Sequence, residues 1–180
     1  VTLDPRLARL MVSLSHSGGA PSAVVDPFCG TGGIAIEASM LGIAVLASDL
    51  DPEMVAGTLT NLQRAGGGGE YRVEECSADR IHETWGRRPA CSFVFDPPYG
   101  RNAWASDDGL EVLLGALRSA RQTSPDGTIC TMLPTSTEAL DGPLSEDLQV
   151  LGTTWGPLKG IILDSGWEVS LSVPVRVHRS

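Results

Sequence analysis

The sequence predicts an α/β domain built on a mainly parallel, twisted sheet with helices on both faces. Short apolar runs of strand length alternate with segments of helical period along most of the chain. Parallel strands need a crossover between them, and this alternation supplies one each time. Runs such as "SAVVDPF" and "CSFVF" read as buried strands, which fits a sheet covered on both sides. The length of 180 residues and the 42% hydrophobic content suffice for one domain, 1–180, with a sizeable core.

Each element has a local reason. "LDPRLARLMVSLS" reads as a leader helix within residues 1–18. Asp4 caps it, Pro5 occupies its first position, and Leu7, Leu10, Met11 and Leu14 recur at helical spacing. "SAVVDPF" is the first strand, and "GGIAIEASMLG" a helix closed by Gly42. "AVLASDL" is the second strand, followed by the helix "DPEMVAGTLTNLQRAG", opened by Asp51 and Pro52. The "GGGG" at 66–69 reads as a flexible turn. "YRVEECSAD" is the third strand and "CSFVFDPP" the fourth. "DGLEVLLGALRSARQ" is a helix, "GTICTMLPT" the fifth strand, "WGPLKGIILDSG" a helix and "WEVSLSVPVRV" the sixth strand. Residues 135–155 carry turn formers without a sustained period and read as a short helix plus a loop.

Composition removes several classes of function. The net charge is −9, and Lys159 is the only lysine among the 13 basic residues. The whole-chain basic footprint of a self-sufficient nucleic-acid binder is therefore lacking, although Arg87, Arg88 and Arg101 provide local positive charge. No apolar run is long enough to span a membrane, and "VTLDPRLARL" lacks the basic and apolar regions of a signal peptide. Cys29, Cys76, Cys91 and Cys130 have no paired spacing for zinc or a disulfide framework, so they read as buried, reduced thiols of a cytoplasmic protein. His16, His82 and His178 show no ligand spacing, and no metal is expected.

The chemistry concentrates at strand ends. In an open parallel sheet, ligands sit beyond the carboxyl ends of the strands, near the point where strand order reverses. The first strand runs into "DPFCGTGG", whose glycines let backbone approach a ligand and whose N–H groups attract an anion. Asp49 ends the second strand and suits the two hydroxyls of a ribose, while Asp79 ends the third and suits an exocyclic amine such as adenine's. Together they describe a nucleoside pocket. Taken singly, the glycines also read as a tight turn, and Asp49 as a cap on the next helix. A nicotinamide-dependent enzyme would share these parts, but "GTGG" departs from the spaced G-x-G-x-x-G pattern.

The fourth strand ends in Asp96-Pro97-Pro98-Tyr99-Gly100. Proline cannot donate to a sheet ladder, and two in succession hold the backbone extended. The local carbonyls and the Asp96 carboxylate then form acceptors suited to the two N–H groups of a planar amine. Tyr99 offers a flat ring for a base, an interaction worth about 1–3 kcal/mol. The alternative is a strand that merely stops at a proline turn. Glu37 reads either as a brace beneath the glycine loop or as an exposed helix carboxylate, and the loop around Trp104 as a lid over the site.

"DPFCGTGGIAIEA", "SDLDPEMVAGTLTNL", "SAD" and "DPPYG" resemble the cofactor and catalytic motifs of class I S-adenosylmethionine-dependent methyltransferases that act on base amines. With "DPRLARLMVSLS" and "PVRVHRS", the chain is similar to the catalytic domain of THUMP-containing tRNA (guanosine-10-N2)-methyltransferases. The resemblance implies a Rossmann-like class I methyltransferase fold with S-adenosyl-L-methionine as cofactor. It implies that Asp26, Gly30 and Gly32 shape the methionine end of the pocket, Asp49 holds the ribose and Asp79 the adenine. Phe28, Thr31, Leu50, Ala78 and Asp96 are further cofactor-binding positions. Asp96 and the Pro97 carbonyl would hold the guanine amine in a catalytic stretch with Pro98 and Tyr99, Tyr99 stacking on the base. The substrate is then tRNA, gripped by an N-terminal domain, and a small activator subunit is a further implied partner. The RNA-binding domain and the family's final antiparallel strand are expected to be missing from this chain, which begins at Val1. An adenine-N6 methyltransferase on DNA or RNA is the alternative activity, and a non-catalytic assembly module the alternative class.

Overall fold

The computed structural model describes residues 3–16, 19–98, 108–135, 145–150 and 153–170. Helix α1, Pro5–Leu14, begins where Asp4 accepts the Arg6 N–H at 2.8 Å, a cap worth about 1 kcal/mol. Strand β1, Ala23–Asp26, leads through the glycine turn into α2, Gly33–Met40. Gly42, with φ of 75°, closes that helix in the left-handed region. Strand β2, Val45–Asp49, is followed by α3, Pro52–Ala65, where Asp51 accepts the Glu53 N–H at 2.8 Å. Strand β3, Tyr71–Glu75, precedes a 3-10 turn, Ala78–Arg80, and a short helix α4, Ile81–Trp85. Then come β4, Cys91–Phe95, α5, Asp108–Thr123, and β5, Thr128–Thr131. Strands β6, Gln149–Val150, and β7, Thr153–Thr154, lead into α6, Trp155–Asp164.

The main sheet has the order β3-β2-β1-β4-β5, with every pairing parallel. Side chains alternate across it, as the pleat requires. Val25, Leu46, Phe93 and Phe95 face Ile81, Trp85, Leu113, Leu117, Leu158 and Trp167. Val24, Val45, Ala47 and Val94 face Ala8, Met11, Val12, Ile34, Ala38 and Leu62 on the other side. The central strands β1, β2 and β4 are thus buried on both faces, and each fully buried side chain such as Phe93 contributes roughly 2–3 kcal/mol.

Four readings change. The glycine tract is packed rather than a flexible turn: Gly69 donates to the Ser39 carbonyl at 3.1 Å, and Gly66 ends α3 with φ of 63°. The described part of 135–155 contains no helix before Trp155; β6 and β7 pair antiparallel instead. The turn and helix over Ala78–Trp85 were missed, because five helical residues are too few to display a period. Residues 167–170 are not strand, and the remainder of the expected sixth strand lies outside the described residues.

Candidate active site

The strand order reverses between β1 and β4, so the crevice beyond their carboxyl ends is where ligands bind in such sheets. Chain order alone separates Asp26, Asp49 and Asp96; the parallel register brings all three to the same end of the sheet. Asp26 is 1% exposed and accepts the Phe28 N–H at 3.1 Å. Burial pushes its carboxyl up to about 8, opposed by the Phe28 N–H and reinforced by the negative charges of Asp49 and Asp96. Phe28 itself packs its ring on Phe95, centroids 5.6 Å apart.

Asp49 does more than cap a helix. One carboxylate oxygen accepts the Gly30 N–H at 2.9 Å, and the other accepts the Asp51 N–H at 3.0 Å. The acid of β2 is thereby stitched to the glycine turn, 19 residues earlier in the chain. Gly30 and Gly32 have φ of 51° and 91°, so the turn uses the left-handed region that glycine enters without strain. From behind, α3 supplies hydrogen bonds to the turn: Thr58 to the Gly30 carbonyl at 2.8 Å and Asn61 to the Thr31 carbonyl at 2.9 Å. Sequence reading missed both. Their spacing of three residues on one helix face was the available signal.

Leu50, next to Asp49, is 72% exposed. Ala78 is buried, and Asp79, exposed beside it, accepts the Ser77 hydroxyl at 2.5 Å. A methyl built on Gly115 of α5 would lie 2.8 Å from Asp79 Cβ, so this acid sits directly against the helix. Beyond β4, Asp96 is half-buried, Pro97 buried and Pro98 exposed. Tyr99, Gly100, Arg101 and Trp104 lie outside the described residues, and the stacking and lid readings with them.

Other candidates resolve as framework. Glu37 ion-pairs with Arg9 at 2.6 Å and ties α2 to α1 rather than bracing the glycine loop. His82 bonds the Ser119 hydroxyl at 2.8 Å. The four cysteines are unbridged, Cys29 and Cys91 buried and the other two half-buried. Burial chiefly, with Asp26 next, pushes the Cys29 thiol up to about 12, which makes it unreactive. A groove lined by Arg87, Arg88, Pro89, Pro125 and Asp126 lies at the opposite, amino end of β4, away from the acids. No described helix is long and apolar enough to cross a membrane.

A parallel sheet of this order, with a glycine turn after β1 and an acid ending β2, is common to Rossmann-like nucleotide-binding folds; the match to a methyltransferase family makes this one a class I methyltransferase, whose cofactor is S-adenosylmethionine. The residues fit that cofactor. A turn of left-handed glycines, an Asp49 carboxylate with lone pairs beyond its two backbone hydrogen bonds, and a buried Asp26 carboxyl lie at the same end of the sheet. Residues 1–161 match the family described as RMKL-like, methyltransferase domain, and the chain belongs to it.

Among its relatives is a tRNA (guanine(10)-N2)-dimethyltransferase of Pyrococcus abyssi, 33% identical over 152 residues. That match covers 84% of this chain and 45% of the relative. A protein of the same name from Methanothermobacter thermautotrophicus is 38% identical over 136 residues, 74% of this chain and 39% of the relative. The chain thus spans less than half the length of either. The crystal structure of TrmN from Thermus thermophilus superposes with a TM-score of 0.59 at 25% identity, covering 84% of this chain and 46% of that one.

Proposed function

We propose that this chain is the catalytic part of an enzyme that transfers a methyl group to the N2 amine of a guanine in tRNA. The observation that carries the reading is the convergence of Asp26, Asp49 and Asp96 around a pinned glycine turn, with Pro97 and Pro98 directly after the last of them. The curated relatives named for guanine-10 N2 dimethylation support tRNA guanine as the substrate class.

Bound S-adenosylmethionine supplies a methyl group activated by a positively charged sulfur. The chain's own residues then have three tasks. The glycine turn, Asp49 and Asp79 would hold this ligand. Asp96 and the Pro97 carbonyl accept the two N–H groups of the guanine amine and aim its nitrogen along the line of displacement. As positive charge builds on that nitrogen, these acceptors stabilise it, and the proton released afterwards passes to Asp96 and on to solvent. The base must leave its helical stack to enter. A chain of net charge −9 leaves the grip on tRNA to a separate N-terminal domain, with a small activator subunit as a further partner and the cytoplasm as the compartment.

The test is mass spectrometry of nucleosides digested from tRNA after incubation with the full-length protein and S-adenosylmethionine. N2-methylated guanosine is expected, and Asp96→Ala should cut its formation about 100-fold or more. Methyl on adenine N6 instead would overturn the substrate assignment.

A further inference from the structure

Thr58 and Asn61 lie one turn apart on the same face of α3. A buried threonine inside a helix commonly turns its hydroxyl back on a carbonyl of its own preceding turn. Thr60 does this, bonding the Ala56 carbonyl at 2.9 Å. Thr58, fully buried, does otherwise: its hydroxyl reaches Gly30, 28 residues earlier, at 2.8 Å. Asn61 donates to Thr31, 30 residues earlier, at 2.9 Å. The fit is close, since a methyl built on Gly32 would lie 3.1 Å from both Thr58 Cγ2 and Oγ1.

Gly30 is therefore held at both polar ends, its N–H by Asp49 and its carbonyl by Thr58. Glycine has the widest conformational freedom of any residue. A glycine turn that must present fixed backbone to a ligand would otherwise be ordered only on binding, and the ordering entropy would be subtracted from affinity.

We propose that Thr58 and Asn61 are positioning residues for the cofactor: by occupying two carbonyls on the far side of the glycine turn, they hold it in its ligand-ready shape before the cofactor arrives. This rests on the assignment of the turn to the S-adenosylmethionine pocket. Neither residue touches the ligand; both act through the turn.

Calorimetric titration of the chain with S-adenosylmethionine, beside thermal unfolding of the cofactor-free chain, tests it. Thr58→Val keeps the shape and removes the hydroxyl, and should weaken binding about tenfold, whereas Thr58→Ser keeps the bond and should stay within about threefold of wild type. Asn61→Asp replaces the donor by an acceptor facing the Thr31 carbonyl. Added negative charge alone would tighten binding of a cationic ligand, so the expected weakening isolates geometry. Thr58→Val binding as tightly as wild type, or Thr58→Ser losing as much as Thr58→Val, overturns the proposal. If Thr58→Val does not fold, the half-buried Asn61→Asp decides alone, and unchanged or tighter binding there is fatal. Failure of the wild-type chain to bind would instead overturn the pocket assignment beneath it.

Discussion

Asp26 pairs full burial with one backbone hydrogen bond and two neighbouring carboxylates, and this sets a testable pH dependence. In the unfolded chain its carboxyl ionises near 3.8; in the folded chain it holds its proton to about 8. Below 3.8 both states are protonated. Between the two values only the unfolded state ionises, so this residue's contribution to stability falls steadily as pH rises, and levels off above about 8. Chemical denaturation at about pH 5 and about pH 8 should therefore show a smaller loss on going to the higher pH for Asp26→Asn than for wild type. A cationic ligand placed beside Asp26 lowers that pKa, so binding should release a proton near neutral pH and tighten as pH rises toward 8. Calorimetry in buffers of different ionisation heat reads that proton. Sequence alone singled out Asp26 by its place before the glycines. Its protonation depends on neighbours brought by β2 and β4, which no linear reading contains.

The loop between α3 and β3 shows what sequence patterns miss at the level of elements. Four consecutive glycines carry no distinction among themselves, yet the fold treats them differently. A methyl on Gly69 would lie 2.0 Å from the Ile43 carbonyl oxygen, whereas on Gly68 its nearest neighbour would be Gly42 Cα at 4.0 Å. Gly69→Ala should destabilise by about 2–3 kcal/mol through overpacking against backbone. Gly68→Ala should be neutral or stabilising by up to about 1 kcal/mol, by restricting the unfolded chain. Urea denaturation of the two variants separates these outcomes, and equal effects would show that the tract is loose after all. By contrast, the Asp-Pro openings of α1 and α3 were fully legible, because a cap and its first turn lie within a few residues of one another. Helix α4 was not, since its formation depends on burying Ile81 and Trp85 against α5.

For the molecule as a whole, the charge balance and the share of its relatives that it spans lead to one expectation. The proposed pocket draws on β1 to β4 and the helices between them, whereas an acidic chain offers tRNA little attraction. On the proposed function, the isolated chain should bind S-adenosylhomocysteine within about threefold of the full-length protein but methylate tRNA at least about 100-fold more slowly, because the proposed grip on tRNA belongs to a separate domain that raises effective concentration. Parallel calorimetry and methyl-transfer assays check this, and equal turnover would show that the chain grips tRNA by itself. The alternation of strands and helices, the caps, the glycine turn and the acids at strand ends can all be read from the order of residues alone. Each depends on residues adjacent in the chain, where local sterics and hydrogen bonding decide the outcome. That Asp49 and Thr58 grip one glycine from two sides, that Glu37 serves α1, and that the four glycines are unequal emerges with the folded packing. Those depend on close approach between segments distant in sequence, and contact at a few ångströms is a property of packing that composition and spacing do not encode.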